Sequence, residues 1–139
     1  MNLSAFALLL LIDASAIDPG VLVGTYRGSL WSGGMDSHSI TTLKIGTGRM
    51  LIGEYSFIEP TGRMTQGTLD ACEMKMRVLT CQWRDPYGTG LLKLEFDSSF
   101  CAFQGQWTTT VVSNDWAYWN GSKECAPVAN TQTILQPIS

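Results

Sequence analysis

The most constraining feature of the sequence is an alternation of apolar and polar residues that begins at Val21 and continues towards Cys125. Residues two apart on a β-strand share a face, so a period of two predicts strands and leaves no helix of useful length in this region. Turn-forming residues break the alternation every 8 to 14 positions, for example at 46–48 and 85–88. The pattern predicts eight strands, at 21–31, 38–46, 49–58, 63–71, 74–84, 89–97, 100–110 and 115–124.

Short connections determine how these strands pair. Successive strands joined by hairpin-sized turns pair antiparallel, and eight of them hide both sheet edges only by closing into a barrel. The length of 139 residues suits one domain. The sequence therefore predicts an all-β, eight-stranded antiparallel up-and-down (meander) barrel at 21–125, followed by a C-terminal tail at 126–139. A two-sheet sandwich is the alternative.

Five strands share a one-face triplet of a large, a small and a large residue. The triplets are Leu22-x-Gly24-x-Tyr26, Leu51-x-Gly53-x-Tyr55, Thr65-x-Gly67-x-Leu69, Leu79-x-Cys81-x-Trp83 and Phe103-x-Gly105-x-Trp107. Glycine weakens a strand, so a ring of small residues indicates sharp coiling, close packing or free volume. Small barrels of eight strands can fill their interior or hold one small ligand, and both alternatives stay open here.

The N-terminal segment at 1–20 has two interpretations. Its apolar run at 5–12 ends at Asp13, and Ala14-Ser15-Ala16 has the small-x-small form that signal peptidase cleaves. The same residues fit a short helix, capped by Ser4, that plugs one end of the barrel. Cleavage within 1–16 would direct the protein to the periplasm or the exterior, and retention of the helix would leave it cytoplasmic. Membrane insertion is not expected, because a spanning helix needs about 20 residues.

The sequence also predicts which residues lie opposite each other in the last hairpin. Pairing centred on Ser113 places Trp107 opposite Trp119 and Cys101 opposite Cys125. The second pair falls at the strand ends, where a disulfide would tie the final strand to the barrel. We therefore predict a Cys101–Cys125 bond, which favours an oxidising compartment.

The other two cysteines are predicted not to pair. Cys72 lies near a hairpin and Cys81 lies well into the fifth strand. A fully extended segment between them would span roughly 30 Å. Cys81 is instead expected to fill a small buried position as a free thiol.

Charge and residue types narrow the function classes. With 9 basic and 12 acidic residues, the chain has a formal net charge of −3 and no positive field for a nucleic-acid backbone. His38 is the single histidine and no CxxC occurs, so neither a zinc site nor another metal or cofactor is predicted. The sequence offers no convincing set of acid, base and nucleophile, and we predict that the protein is not an enzyme.

Aromatic residues on the inward face form the predicted site, because large rings serve both cores and ligand walls. Thr109 is the candidate polar group that orients a ligand, and Trp31 and His38 are predicted at the mouth of the barrel. The residues predicted to line the wall are Tyr55, Trp83, Trp107 and Trp119.

Gly24-Thr25-Tyr26 opening a barrel, followed by the Gly-containing strands at 51–55 and 103–107, resembles the avidin and lipocalin group of ligand barrels over 21–125. The resemblance implies a meander topology and an apolar cup for a small hydrophobic or amphipathic molecule. Tyr26 stands where that group usually has Trp, and Arg27-Gly28 stand where its biotin binders have an Asn-containing stretch. Biotin binding is therefore not implied.

Two functions from different classes follow. The first is a non-catalytic barrel that holds a small hydrophobic or amphipathic ligand. The alternative is a filled barrel that acts through its outside as an inhibitor, an immunity-type partner or an assembly subunit, with Tyr87, Trp116 and Tyr118 as contact surface and a protein partner or a second copy bound. Gly24, Gly53, Gly67 and Gly105 form the predicted glycine layer. A cavity of several hundred Å³ at this layer favours the first function, and a packed layer favours the second.

Overall fold

The computed structural model describes residues 17–109 and 115–125. Their sheet is a closed barrel in which eight antiparallel strands follow one another in chain order, and β1 pairs with β8 to close it. The strands are β1 Gly24–Ser32, β2 Met35–Ile45, β3 Leu51–Ile58, β4 Met64–Lys75, β5 Val78–Asp85, β6 Gly88–Phe96, β7 Ala102–Thr109 and β8 Ala117–Ser122. The predicted up-and-down barrel is confirmed, because local alternation and short turns are enough to determine this topology.

Helical structure in the described residues is limited to two short 3-10 helices, Pro19–Leu22 and Thr47–Arg49. The first is capped by Asp18, whose side chain accepts a hydrogen bond from the Gly20 amide at 3.0 Å. Its Leu22 is fully buried, and the Tyr26 hydroxyl donates to the Leu22 carbonyl at 2.7 Å, so this helix packs against the core. None of the helices described is long and apolar enough to cross a bilayer.

Two predicted segments fall beyond this range. The apolar run at 5–12 and its cleavage motif lie outside the described residues, as does the tail at 126–139. The choice between a leader and a plug helix therefore stays a prediction.

The glycine layer of the barrel is packed. An added Cβ at Gly53 would lie 2.8 Å from the Thr42 carbonyl oxygen, and one at Gly105 would lie 2.7 Å from the Trp119 carbonyl oxygen. Real Cβ atoms do not approach other atoms so closely, and the packing density of protein interiors leaves few voids. The small residues therefore allow close packing of strands and rings, and they do not leave the hollow on which a deep ligand site would depend.

The register of the last hairpin differs from the predicted one by two residues. Gly105 lies opposite Trp119, Phe103 opposite Gly121 and Trp107 opposite Ala117, so the predicted Trp107–Trp119 pair is wrong. Each pair combines a large residue with a small one. The Phe103 ring covers Gly121, where an added Cβ would be 2.8 Å from the ring, and this arrangement fills space that two opposed glycines would leave empty.

Both disulfides of the chain form. The predicted Cys101–Cys125 bond is confirmed, with Cα atoms 6.1 Å apart, because a shift of two residues keeps every side chain on its face. The prediction of a free Cys81 is wrong, since Cys81 bonds to Cys72 with Cα atoms 4.1 Å apart.

The error at Cys81 has a geometric cause. The β4–β5 hairpin folds back, so distance along an extended chain says nothing about distance across the ladder. A bulge between Asp70 and Glu73 shifts the register by one residue, and Ala71 takes a positive φ of 51° there. This shift brings Cys72 to the position opposite Cys81. Two disulfides are compatible with an extracytoplasmic protein.

Candidate functional site

A cavity of about 70 Å³ lies inside the end of the barrel that carries the β1–β2, β3–β4 and β5–β6 turns. We call it the aromatic cup, because six of its lining residues are aromatic. These are Tyr55, Phe57, Trp83, Tyr87, Trp107 and Trp119. Leu30, Ser32 and Asp85 complete the lining. Tyr87 is 67% exposed, so solvent reaches the rim of the cup.

The rings of the cup pack against one another at steep angles. The Trp83 and Trp107 rings are 5.6 Å apart and perpendicular, and the Tyr55 and Trp119 rings are 4.8 Å apart at 70°. Edge-to-face contacts of this kind add about 0.5–1.5 kcal/mol to the burial of each pair. The rings of the wall therefore support one another.

Each indole N–H of the wall is already bonded within the protein. Trp83 Nε1 donates to the Thr108 carbonyl at 2.9 Å, and Trp107 Nε1 donates to the Trp31 carbonyl at 3.0 Å. Trp119 Nε1 donates to the Thr41 hydroxyl at 2.9 Å. The indole N–H groups therefore leave no free donor for an anion in the cup.

Asp85 is the charged residue of the cup. Its Oδ2 accepts a hydrogen bond from the Tyr55 hydroxyl at 2.6 Å, and its Oδ1 accepts one from the Tyr87 amide at 2.8 Å. Burial, and then the hydrogen bond to Asp85, raise the pKa of Tyr55 well above its usual range. Tyr55 therefore stays protonated and holds the carboxylate in place.

A second carboxylate lies at the rim. Glu59 accepts hydrogen bonds from the hydroxyls of Thr65 and Tyr87. These two bonds, that from Thr65 first, hold the pKa of Glu59 below its usual value. Glu59 is therefore ionised at neutral pH, and Arg63 is the nearby cation that adds to the lowering of its pKa.

The structure brings four of the predicted site residues together, since Tyr55, Trp83, Trp107 and Trp119 all line the cup. Trp31 contributes its carbonyl to Trp107, whereas its own ring is 41% exposed and lies 6.1 Å from the Tyr118 ring, outside the cup.

Thr109 and His38 do not line the cup. His38 lies between the buried Ser37 and Ser39, so the alternation of the strand turns its side chain outward. In β7 the alternation breaks at the end of the strand, where Thr108 is buried and Thr109 is exposed. The Thr108 hydroxyl donates to the Asp115 carbonyl, and this hydrogen bond explains why the Thr108 side chain turns inward.

Sequence reasoning assigned Asp85 and Tyr87 to a turn and missed them as part of the site. A signal for Asp85 was present, because it follows Cys81 and Trp83 at steps of two and so shares their inward face. Turn composition concealed this, since Asp-Pro-Tyr-Gly is typical of an exposed loop. Among the described residues no group of three or more His, Cys, Asp or Glu side chains could hold a metal.

No protein-family model matches the chain, and no curated protein or solved structure matches it significantly. The candidate site therefore depends on the geometry of this chain alone.

Strand β2 carries three buried hydroxyls near the cup, and they differ in whether they form a hydrogen bond. Ser37 Oγ and Ser39 Oγ are buried without a hydrogen-bond partner in the described part of the chain, whereas Thr41 Oγ1 accepts from Trp119. We expect Ser39→Ala to leave stability unchanged or to raise it by up to about 1 kcal/mol. Thr41→Val should cost about 1–3 kcal/mol, because it leaves the buried indole N–H without an acceptor.

Urea unfolding followed by tryptophan emission measures both variants. They are a matched pair, since each removes one inward hydroxyl from β2. Equal losses of stability in the two would contradict the assignment of the Trp119 hydrogen bond.

Proposed function

We propose that this protein is a non-catalytic binding protein, and that the aromatic cup is its site for one small apolar or amphipathic group. The observation that carries the proposal is the cavity of about 70 Å³, walled by six aromatic residues, at the end of the barrel with the β1–β2, β3–β4 and β5–β6 turns. Ligand pockets in proteins are typically apolar with a few polar groups that set orientation, and Asp85 and Ser32 are the polar groups of this lining.

The size of the cup limits what it can hold. Pockets for drug-sized molecules measure about 300–1,000 Å³, several times more than the cup offers. The packed glycine layer prevents a ligand from going deeper. The cup therefore suits the end of a small molecule, a few heavy atoms in size, with the rest of the ligand in the solvent.

Binding is favoured over catalysis by the kinds of residue in the cup. Its lining contains no histidine, cysteine or lysine, and its carboxylate is bonded to the protonated Tyr55. Nucleophilic catalysis needs a nucleophile and a base within hydrogen-bond reach, but Asp85, the carboxylate of this lining, accepts its hydrogen bonds from Tyr55 and the Tyr87 amide and not from the Ser32 hydroxyl.

Titration with straight-chain alcohols from butanol to octanol, followed by tryptophan emission, tests the proposal. We expect a saturable change in emission, and Trp107→Ala should weaken binding about tenfold or more because it removes one wall. Trp116→Ala is the matched control, since this ring is 36% exposed and does not line the cup. A linear, non-saturating response, or equal effects of the two variants, would contradict the proposal.

The packed glycine layer favours a second candidate, a filled barrel that acts through its outside. Trp31, Trp116 and Tyr87 are 41%, 36% and 67% exposed at the same end of the barrel. Exposed aromatic residues concentrate interface energy. If this end binds a second copy, the measured mass should rise with concentration in sedimentation equilibrium, and Trp31→Ala should abolish the rise. A mass that stays that of the monomer at every concentration would contradict binding of a second copy and would favour the cup as the functional site.

A further inference from the structure

The cup combines aromatic rings with one carboxylate, and both kinds of group attract cations. Aromatic faces carry the negative end of the ring quadrupole. A cation within about 6 Å of a ring centroid is attracted to that face. Asp85 adds a full negative charge to the same lining.

The Asp85 carboxylate is held in place and forms no ion pair with any of the described residues. Its oxygens are held by Tyr55 and by the Tyr87 amide, neither of which is charged. The two ion pairs found in the described residues, Lys44–Glu54 and Arg49–Asp18, do not include it.

Any group that enters the cup displaces water from this carboxylate. Desolvation of an ionised carboxylate is costly unless an opposite charge replaces the water. A neutral apolar group would impose that cost without compensation, and an anion would add repulsion. A cation compensates for the cost and gains the attraction of the rings at the same time.

The kind of cation follows from the supply of hydrogen-bond acceptors. A primary ammonium needs acceptors for three N–H groups, whereas each Asp85 oxygen already accepts one hydrogen bond and has one lone pair left. A fully alkylated ammonium has no N–H to satisfy, and its methyl groups can contact the rings directly. Its head contains only a few heavy atoms, which suits a cavity of about 70 Å³.

We propose that the aromatic cup binds a small alkylated ammonium group, such as a trimethylammonium head, with Asp85 as its counter-ion and the Trp83, Trp107 and Tyr55 rings as its wall. This inference rests on the proposed function, and it names the chemical class of the ligand.

Calorimetric titration of the intact protein with choline chloride and with neohexyl alcohol tests the inference. The two molecules have the same shape, and a carbon replaces the nitrogen in the alcohol. We expect choline to bind about tenfold or more tightly than the alcohol. Equal affinities would overturn the ammonium inference and support the proposed apolar site, whereas no binding of either molecule would overturn both.

Asp85→Asn removes the charge and keeps an acceptor for Tyr55. We expect it to weaken choline binding about tenfold and to leave the binding of neohexyl alcohol unchanged or stronger. Asp36→Asn is the matched control, because Asp36 is bonded to Tyr118 near the same end and does not line the cup. Unchanged choline binding in a folded Asp85→Asn variant would overturn the role of the counter-ion.

Vesicles distinguish the source of the ammonium. Co-sedimentation with phosphatidylcholine vesicles, and not with phosphatidylglycerol vesicles, would place the group on a lipid headgroup. Binding of choline without binding of the vesicles would place it on a free small molecule, and either result supports the ammonium class.

Discussion

Gly67→Ala is expected to lower the free energy of unfolding by about 3 kcal/mol, at the upper end of the usual cost of overpacking. An added Cβ would lie 2.3 Å from Tyr55 Cζ and 2.6 Å from the Arg84 carbonyl oxygen. The tyrosine ring could turn away, but the carbonyl belongs to the neighbouring strand β5 and moves only if the ladder distorts. Urea unfolding followed by far-ultraviolet circular dichroism measures the loss without depending on tryptophan emission.

The same substitution should weaken binding at the cup. Displacement of the Tyr55 ring breaks its hydrogen bond to Asp85 and moves one wall of the cavity. Gly20→Ala is the matched control, since its Cβ would meet no atom closer than 3.4 Å, and we expect a change within about 0.5 kcal/mol. A Gly67→Ala variant as stable as the wild type would show that the glycine layer has room, and a hollow interior would again be the better description.

Removal of the Cys101–Cys125 bond by the double substitution Cys101→Ser and Cys125→Ser is expected to cost about 3.5 kcal/mol of stability. The bond closes a loop between residues separated by 24 positions, and the unfolded chain regains that conformational freedom when it is removed. It also fastens β8, which has only 6 residues and must pair on both sides to close the barrel.

The single variant Cys101→Ser controls for the change of side chain, because the bond needs both sulfurs. The single and double variants should therefore lose similar stability, measured by guanidinium unfolding without reductant. A loss below about 1 kcal/mol in the double variant would contradict a stabilising role of this bond.

The number, order and pairing of the strands could be predicted from the sequence because the signals are local. A period of two and clusters of turn residues act over a few positions, and short turns then leave only antiparallel neighbours. The inward placement of Tyr55, Trp83 and Trp119 followed from the same alternation. These predictions needed no knowledge of distant contacts.

Predictions that depended on contacts between strands were less successful. The last hairpin was placed two residues out of register, because matching Trp107 with Trp119 ignored the need to place large residues opposite small ones. The Cys72–Cys81 bond depends on a bulge that has no distinctive signal in the sequence. The packed state of the glycine layer depends on rings that come from other strands, such as Tyr55 over Gly67.

For the site, the alternation alone brought four wall residues together, but it failed where strands end. Thr109 is exposed at the end of β7, whereas His38 follows the alternation of β2 onto the outward face and Asp85 follows that of β5 into the cup. Strand ends are where side chains leave the regular alternation, because the ladder no longer constrains them.

The sequence by itself determined a closed meander of eight strands, the faces of those strands and the Cys101–Cys125 bond. Only the tertiary structure decided that the interior is filled at the glycine layer, that a small cup lies at one end of the barrel, and that a carboxylate lies in its wall. The physical reason is that face and turn are properties of neighbouring residues, whereas free volume is the balance of side chains contributed by every strand of the barrel.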